Sequence, residues 1–398
     1  MSLSRRAFVR TLGLGGSGTL SAALIAARGR EAWAAEALPG AFEDFEQQMS
    51  TGRNLIRISS NENPLGPGPA AREAMLAAAI DSNRYPMNAH ASMKDLKATI
   101  ARRYNARPEN VILGDGSSEL LTNVVRVFTS PNKPLLNGTP SYLDPEKTAN
   151  LIGSPIRHVP LTTDLKLDLN PMLAAAKDAG LIFLCYPNNP TATAIPKSAV
   201  ADFVAAVRKM SPAPAILIDE AYIDYATNPT IGTNVDLALA NPGVVVTRTF
   251  SKAFGMAGLR LGYAVGQAET LKTIDPYGMP YNANNMAIAA AIASLNDPAH
   301  LEEERKRNTA VRTFTIDWFE KAGYKAADSQ ANFIFVNIKR PSKVFRDMCL
   351  ENGVVVGRDF PPMEKTHARI SIGTMAEMQK AVEVFGKVLS ATSATAAI

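Results

Sequence analysis

Lys252 is the side chain in this sequence whose neighbours could do chemistry. It follows a β-branched run, Val244 to Thr247, bounded by Pro242 and Gly243, and lies in a turn rich in small residues. Thr249 and Ser251 precede it, Gly255 and Gly258 follow it, and Arg260 comes soon after. The plain alternative is a solvated surface cation, as most lysines are. The sharper one is an amine whose site favours the neutral form, so that it can make an imine. Two hydroxyls and a guanidinium beside it would hold a phosphate, the guanidinium through bidentate charge-assisted bonds. An imine-forming lysine next to a phosphate cradle describes a pyridoxal phosphate site.

Other segments offer matching groups. Asp219 closes the apolar run Ala215 to Ile218, and a carboxylate after a buried strand is costly unless paired. A pyridinium nitrogen is such a partner, kept protonated so that its ring accepts electrons. A metal-binding Asp219–Glu220 pair is the alternative, but no third acidic or imidazole ligand stands near it. Gly114-Asp115-Gly116-Ser117-Ser118-Glu119 follows the short run Val111 to Leu113 and opens a helix through Phe128. Backbone N–H groups at such a terminus form an anion site. A dinucleotide fingerprint competes for the same residues, but its third glycine is missing.

Val244 to Tyr263 resembles the Schiff-base segment of class I and II aminotransferases, most closely the histidinol-phosphate aminotransferase group. The resemblance implies that Lys252 carries pyridoxal 5'-phosphate as an internal aldimine and that Thr249, Ser251 and Arg260 hold its phosphate. Gly116, Ser117 and Ser118 become the second wall of that cup. Tyr186 to Ala192 resembles the family's Asn-Asn-Pro-Thr-Gly loop, so Asn189 would donate to the cofactor's phenolic oxygen with Tyr222 beside it. Thr139-Pro140-Ser141-Tyr142 resembles the Pro-x-Tyr turn, whose aromatic ring stacks on the cofactor. Asn83-Arg84-Tyr85-Pro86 resembles the Arg-Tyr-Pro element, which implies a homodimer with Tyr85 reaching the neighbouring subunit's phosphate. Asn61-Glu62-Asn63-Pro64 matches a segment that lines the substrate entrance and places Asn63 among the substrate-binding residues. Ala368 to Gly373 matches the segment whose arginine clamps the α-carboxylate, which makes Arg369 the substrate anchor.

Several positions depart from the group. Met87 and Ser118 stand where aspartate is frequent, Leu65 where tyrosine is, and Ala192 where glycine is usual. Alanine there is costly if the position needs a positive φ. Histidinol-phosphate aminotransferases carry an arginine directly after the valine run; here Val354-Val355-Val356 is followed by Gly357, then Arg358. A one-residue shift in a strand turns a side chain to the opposite face, whereas a bulge would restore its reach. Arg358 therefore stays among the candidate substrate contacts. With Phe360 as an aromatic wall, the departures point to an unphosphorylated amino acid with an aromatic or apolar side chain.

The elements that must position these groups are short β-branched strands alternating with helices from about 100 to 265. That pattern predicts an α/β fold with a largely parallel sheet covered on both faces, its functional loops after the strands' C-terminal ends. The resemblance implies the fold-type I architecture of pyridoxal phosphate-dependent transferases, a large domain with a smaller α/β companion. The expected divisions are a signal segment at 1–34, an arm and part of the small domain at 35–62, and the large cofactor-binding domain at 63–294. The small C-terminal domain then spans 295–390, with a disordered tail at 391–398. Helices are predicted over Pro69 to Ile80 and Leu301 to Lys321, and strands at Leu181 to Cys185 and Ala331 to Val336.

Composition is ordinary for a globular protein, 46% hydrophobic and 20% charged over 398 residues. The formal charge of +5 is concentrated at the start, where Arg5, Arg6, Arg10, Arg28 and Arg30 face only Glu31. What remains is too small to suggest a nucleic-acid partner. Ser4-Arg5-Arg6-Ala7-Phe8-Val9-Arg10 resembles a twin-arginine export signal, followed by the uncharged stretch Thr11 to Ala27 and cleavage sites at Ala34 or Ala37. A periplasmic location follows, and glycines dilute the stretch too much for a membrane span. The two cysteines, Cys185 and Cys349, and four histidines lack disulfide or metal-ligand spacing, so no metal is expected. The implied activity is transfer of an amino group between an amino acid and a 2-oxo acid. A pyridoxal phosphate lyase or decarboxylase, or histidinol-phosphate aminotransferase proper, is the alternative. A non-catalytic binding module is disfavoured because Lys252, Asp219, Tyr222, Asn189 and Arg369 are all working residues.

Overall fold

A computed structural model describes residues 55–87, 89–210 and 213–395, with side chains through residue 391. The export signal, its cleavage sites and the divisions before Leu55 lie outside the described residues. From Leu55 onward the chain packs as one compact unit.

The strands are β1 (Ile56–Ile58), β2 (Val111–Gly114), β3 (Leu135–Thr139), β4 (Ile156–Pro160), β5 (Leu181–Cys185) and β6 (Ala215–Asp219). They continue with β7 (Val244–Thr249), β8 (Gly262–Gly266), β9 (Lys325–Ala326), β10 (Phe333–Asn337), β11 (Val354–Val356) and β12 (His367–Ser371). A seven-stranded sheet has the order β2-β8-β7-β6-β5-β3-β4. Only β8 runs against its neighbours, pairing antiparallel with β2 and β7. Every residue of β5, β6 and β7 is buried, which is why they read as continuous apolar runs. Side chains alternate between faces: Ile182, Leu184, Ile216, Ile218 and Val246 enter one core. Leu181, Phe183, Ala215, Leu217 and Val245 enter the other. Each such side chain contributes roughly 1.5–3 kcal/mol on burial. A charge at Leu217 would therefore open the sheet just ahead of Asp219.

A separate core gathers Ile58, Phe319, Ile334, Phe345, Ile370 and Phe385 around an antiparallel sheet of order β12-β10-β9. Here β1 pairs in parallel with β11, Ile58 opposite Val356. The N-terminal end of the described chain thus belongs to the same packing as residues near its C-terminal end. Ser59 to Asn63 leaves β1 from there and crosses to the turn that holds Lys252.

Some element ends differ from expectation. Helix Pro69–Ala78 gives way to a 3-10 turn at Ala79–Asp81. The long helix begins at Pro298 because Asp297 caps it, its Oδ1 accepting from His300 N at 3.2 Å. Helix Met375–Thr395 continues past residue 390, so residues 391–395 extend a helix where a disordered tail is expected. Cys185 and Cys349 are buried free thiols. Among the described residues no helix is long and apolar enough to cross a membrane, and no cluster of metal-ligating side chains forms.

Candidate active site

The site lies at the C-terminal ends of β5, β6 and β7. Asp219 is the last residue of β6 and is 3% exposed. Its Oδ1 accepts from the Thr247 hydroxyl at 3.0 Å, and no lysine, arginine or histidine pairs with it among the described residues. Burial in low dielectric disfavours its charge and raises its pKa to about 7, against the opposing Thr247 hydrogen bond.

Lys252 lies just past β7. Its Nζ donates to Ser60 O at 3.2 Å and sits 5.7 Å from the centre of the Tyr222 ring. Protein surrounds the amine although part of the side chain stays open to the cleft. Burial first, and then the Arg369 guanidinium, lower its pKa to about 8. An amine so placed gives up its proton more readily than an ordinary lysine, which favours the neutral, nucleophilic form.

The residues expected to hold a phosphate lie together at this end of the sheet. Thr249 and Ser251 are buried, and their hydroxyls lie 2.9 Å apart. Gly116, Ser117 and Ser118 form the first turn of helix Gly116–Phe128, whose first N–H groups have no partner within the helix. Gly116 has φ +66°, and a Cβ there would overlap the Arg260 guanidinium. Glycine is therefore required twice, by its backbone and by close approach of the cation. Arg260 itself is half exposed, its Nε 3.5 Å from Asp115 Oδ1.

Arg369 on β12 is 8% exposed, and its Nη1 donates to Asn189 Oδ1 at 2.9 Å. Its Nη2 donates to Ser59 O at 2.5 Å, while Nε is buried without a partner. No carboxylate pairs with this guanidinium among the described residues; burial, together with nearby Arg358, brings its pKa down to about 10. Phe360 is a platform shared by two cations, Arg369 at 4.6 Å and Arg358 at 4.4 Å from the ring centre. Gly357 makes this possible, because a Cβ there would meet Arg369 O at 2.7 Å. The loop after β11 thus returns Arg358 towards the site despite its one-residue shift. Arg358 Nη1 donates to Asp359 O at 3.0 Å, and burial lowers its pKa against the pull of the nearby Asp144 carboxylate. The Tyr142 hydroxyl donates to Asp144 Oδ2 at 2.5 Å, and burial raises its pKa well above the ordinary range.

One expected residue takes another position. Asn63 does not reach into the site: its Nδ2 donates to Ala253 O at 3.1 Å and its Oδ1 accepts from Leu65 N at 3.0 Å. It holds the Lys252 turn. Asn61 reaches the site instead, its Nδ2 donating to the Tyr222 hydroxyl at 3.2 Å. Asn189 approaches the same hydroxyl at 3.4 Å. Tyr85 is 66% exposed and packs on Tyr281 with ring centres 4.8 Å apart. Ala192 does occupy the left-handed region, φ +62°, where the alanine is strained. Sequence reasoning also missed Thr247 and Ser371. Thr247 was findable, because parallel neighbours in β6 and β7 put it opposite Asp219.

These residues fit pyridoxal phosphate. Asp219 is a buried acid with a hydroxyl donor but no cation, the setting a protonated ring nitrogen completes. The cradle at Gly116 admits the Arg260 guanidinium only because no Cβ is present. Hydroxyls, helix-terminal N–H groups and a guanidinium are the donors a phosphate needs.

The family described as aminotransferase class I and II matches residues 53–385. A histidinol-phosphate aminotransferase of Moorella thermoacetica is 32% identical over 351 residues, covering 87% of this chain and 89% of that one. An aromatic amino acid aminotransferase of Mycobacterium avium is 36% identical over 333 residues, covering 82% of this chain and 90% of that one. The crystal structure of a histidinol-phosphate aminotransferase from Sinorhizobium meliloti in complex with pyridoxal-5'-phosphate superposes with a TM-score of 0.81. It is 27% identical and covers 89% of this chain and 96% of that one.

Proposed function

Because this chain belongs to the class I and II aminotransferases, we infer that Lys252 and Asp219 are the centre at which it moves an amino group from an amino acid to a 2-oxo acid. The protein is a pyridoxal phosphate-dependent aminotransferase of fold-type I architecture. One observation carries the assignment of residues. A buried acid without a cation, Asp219, and a buried guanidinium without a carboxylate, Arg369, both act on Lys252, an amine whose pKa burial lowers to about 8.

When bound, pyridoxal phosphate supplies a ring that takes up the electron pair released at the substrate's Cα. Asp219 keeps a proton on the ring nitrogen. Thr249, Ser251, Arg260 and the terminus at Gly116, Ser117 and Ser118 bind the phosphate. Tyr142 would pack on the ring and help exclude water, while Asn189 and Tyr222 would donate to the phenolic oxygen. Arg369 orients the substrate by its α-carboxylate. Lys252 Nζ takes the Cα proton and returns it. Appearance of the 2-oxo acid in step with loss of the amino acid tests the reading. A decarboxylated product would replace it with the lyase alternative.

For the substrate we infer an unphosphorylated amino acid with an aromatic or apolar side chain. Phe360 lines the site beside Arg369, and Leu65 is 55% exposed on the segment that leads to it. Aromatic amino acid aminotransferases among the relatives favour the same reading. A phosphorylated substrate is the second reading, because Arg358 shares Phe360 with Arg369 rather than facing away. Single-turnover spectra with free amino acids and histidinol phosphate separate the two; much faster conversion by histidinol phosphate overturns the first.

Two further proposals stand on sequence pattern and exposure. A homodimer would cover Tyr85, Tyr281 at 46% and Met279 at 71% exposure, and it would bring Tyr85 to the partner subunit's phosphate. Restored activity on mixing a Tyr85 variant with a Lys252 variant tests it. Export as a folded protein to the periplasm rests on the pattern from Ser4 to Arg10. Arg5→Lys with Arg6→Lys should retain the protein in the cytoplasm.

A further inference from the structure

We propose that Asn61 is a positioning residue for Tyr222, its side-chain amide fixing the direction in which the Tyr222 hydroxyl proton points. This rests on Tyr222 facing the cofactor's phenolic oxygen, as read above. Asn61 is 1% exposed and has φ +56°, a conformation that side-chain-bearing residues rarely adopt. All of its polar groups are engaged. Its N–H donates to Ser371 Oγ at 2.8 Å, and its C=O accepts from Asn332 Nδ2 at 3.0 Å. Its Oδ1 accepts from Ser371 Oγ at 2.7 Å, and its Nδ2 donates to the Tyr222 hydroxyl at 3.2 Å.

Ser371 Oγ accepts from the Asn61 backbone and gives its single proton to the Asn61 amide oxygen. The amide NH2 is then the group that faces Tyr222. The Tyr222 oxygen accepts there, and its own proton is left to donate elsewhere. Burial keeps the phenol protonated, so the proton is there to donate.

Ser371 and Arg369 lie two residues apart on β12 and so project to the same face. Each reaches the amide oxygen of an asparagine, Asn61 and Asn189 respectively, and each of those amide nitrogens reaches the Tyr222 hydroxyl. When Asn189 and Arg369 turn to cofactor and substrate, the arm through Asn61 is the one that stays. Tyr222 then keeps its donor direction throughout turnover.

The measurement is the pH midpoint at which the bound cofactor's visible absorption band converts. A donor on the phenolic oxygen favours its anionic form and lowers that midpoint, so Tyr222→Phe raises it. Glycine adopts a positive φ freely, so Asn61→Gly keeps both backbone bonds and removes only the amide. We expect Asn61→Gly to raise the midpoint by about half a unit, on the scale of one weakened hydrogen bond. In the Tyr222→Phe background it should add nothing. An unchanged midpoint in Asn61→Gly, or an equal rise in both backgrounds, overturns the proposal. If Tyr222→Phe itself leaves the midpoint in place, the reading of Tyr222 fails and this inference with it. Should Asn61→Gly not hold cofactor, Asn61→Asp keeps the shape but accepts where asparagine donates. Its rise must be larger with Tyr222 present than with phenylalanine, and equal rises again overturn the claim.

Discussion

Thr247 stands opposite Asp219 in the β6–β7 register, and its hydroxyl donates to Asp219 Oδ1 at 3.0 Å. This is the hydrogen bond that opposes burial at the carboxyl, and it leaves the pKa at about 7 rather than higher. In the folded, cofactor-free protein the acid therefore prefers its proton. For a group raised in the folded state, stability is fully present below the unfolded value, near 3.8, and is lost as pH rises through about 7. Cofactor-free Asp219→Asn should lose this dependence, which denaturant titrations at several pH values will show.

A cofactor analogue that lacks the aldehyde isolates the pairing of Asp219 with the ring nitrogen. It should raise the melting temperature of the parent more at pH 8 than at pH 5, because only the ionised acid gains a partner. In Asp219→Asn that difference should shrink. Turnover of the same variant should fall by roughly 10²-fold or more, since a neutral amide cannot hold the ring proton.

Lys252→Ala should bind cofactor without covalent attachment. Borohydride should then fix no label, whereas in the parent it leaves one on the Lys252 peptide. In the cofactor-free parent, Lys252 should react with an acylating reagent half-maximally near pH 8, from its lowered pKa. Arg369→Gln removes a neighbouring cation and should move that midpoint upward.

Arg369→Gln should also lower kcat/KM by roughly 30- to 3,000-fold, the range for removing one partner of a buried charge pair. Steady-state kinetics with an amino acid and with the corresponding amine lacking the carboxylate provide the check. The loss should be confined to the amino acid.

Gly116→Ala should leave helix content by circular dichroism unchanged yet weaken cofactor binding by roughly 10-fold or more, about 1.4 kcal/mol. Two costs coincide there, a side chain at φ +66° and a methyl where the Arg260 guanidinium lies. A cofactor titration of the variant measures the loss.

Where chemistry follows a strand end, the sequence alone determined the outcome. Apolar runs such as Ala215 to Ile218 must be buried on both faces, so the polar residue that ends each strand, Asp219 or Thr249, emerges at the sheet's C-terminal edge. Glycine at 116 and arginine at 260 were legible because only certain residue types can bind a phosphate closely. Contacts between distant segments were not legible. In Asn61-Glu62-Asn63 two asparagines stand two apart, and nothing in their types says which one enters the site. Tertiary structure decided it through the pairing of β1 with β11 and the positive φ at Asn61, which aim that side chain at Tyr222 and leave Asn63 to the Lys252 turn. Arg358 was decided in the same way. Strand periodicity turns it away from the site, but the strand ends at Val356, Gly357 leaves room for the Arg369 backbone, and Arg358 lies over the ring of Phe360. Such a return is a three-dimensional event, set by which neighbour lies against the backbone and not by the order of residues within the strand.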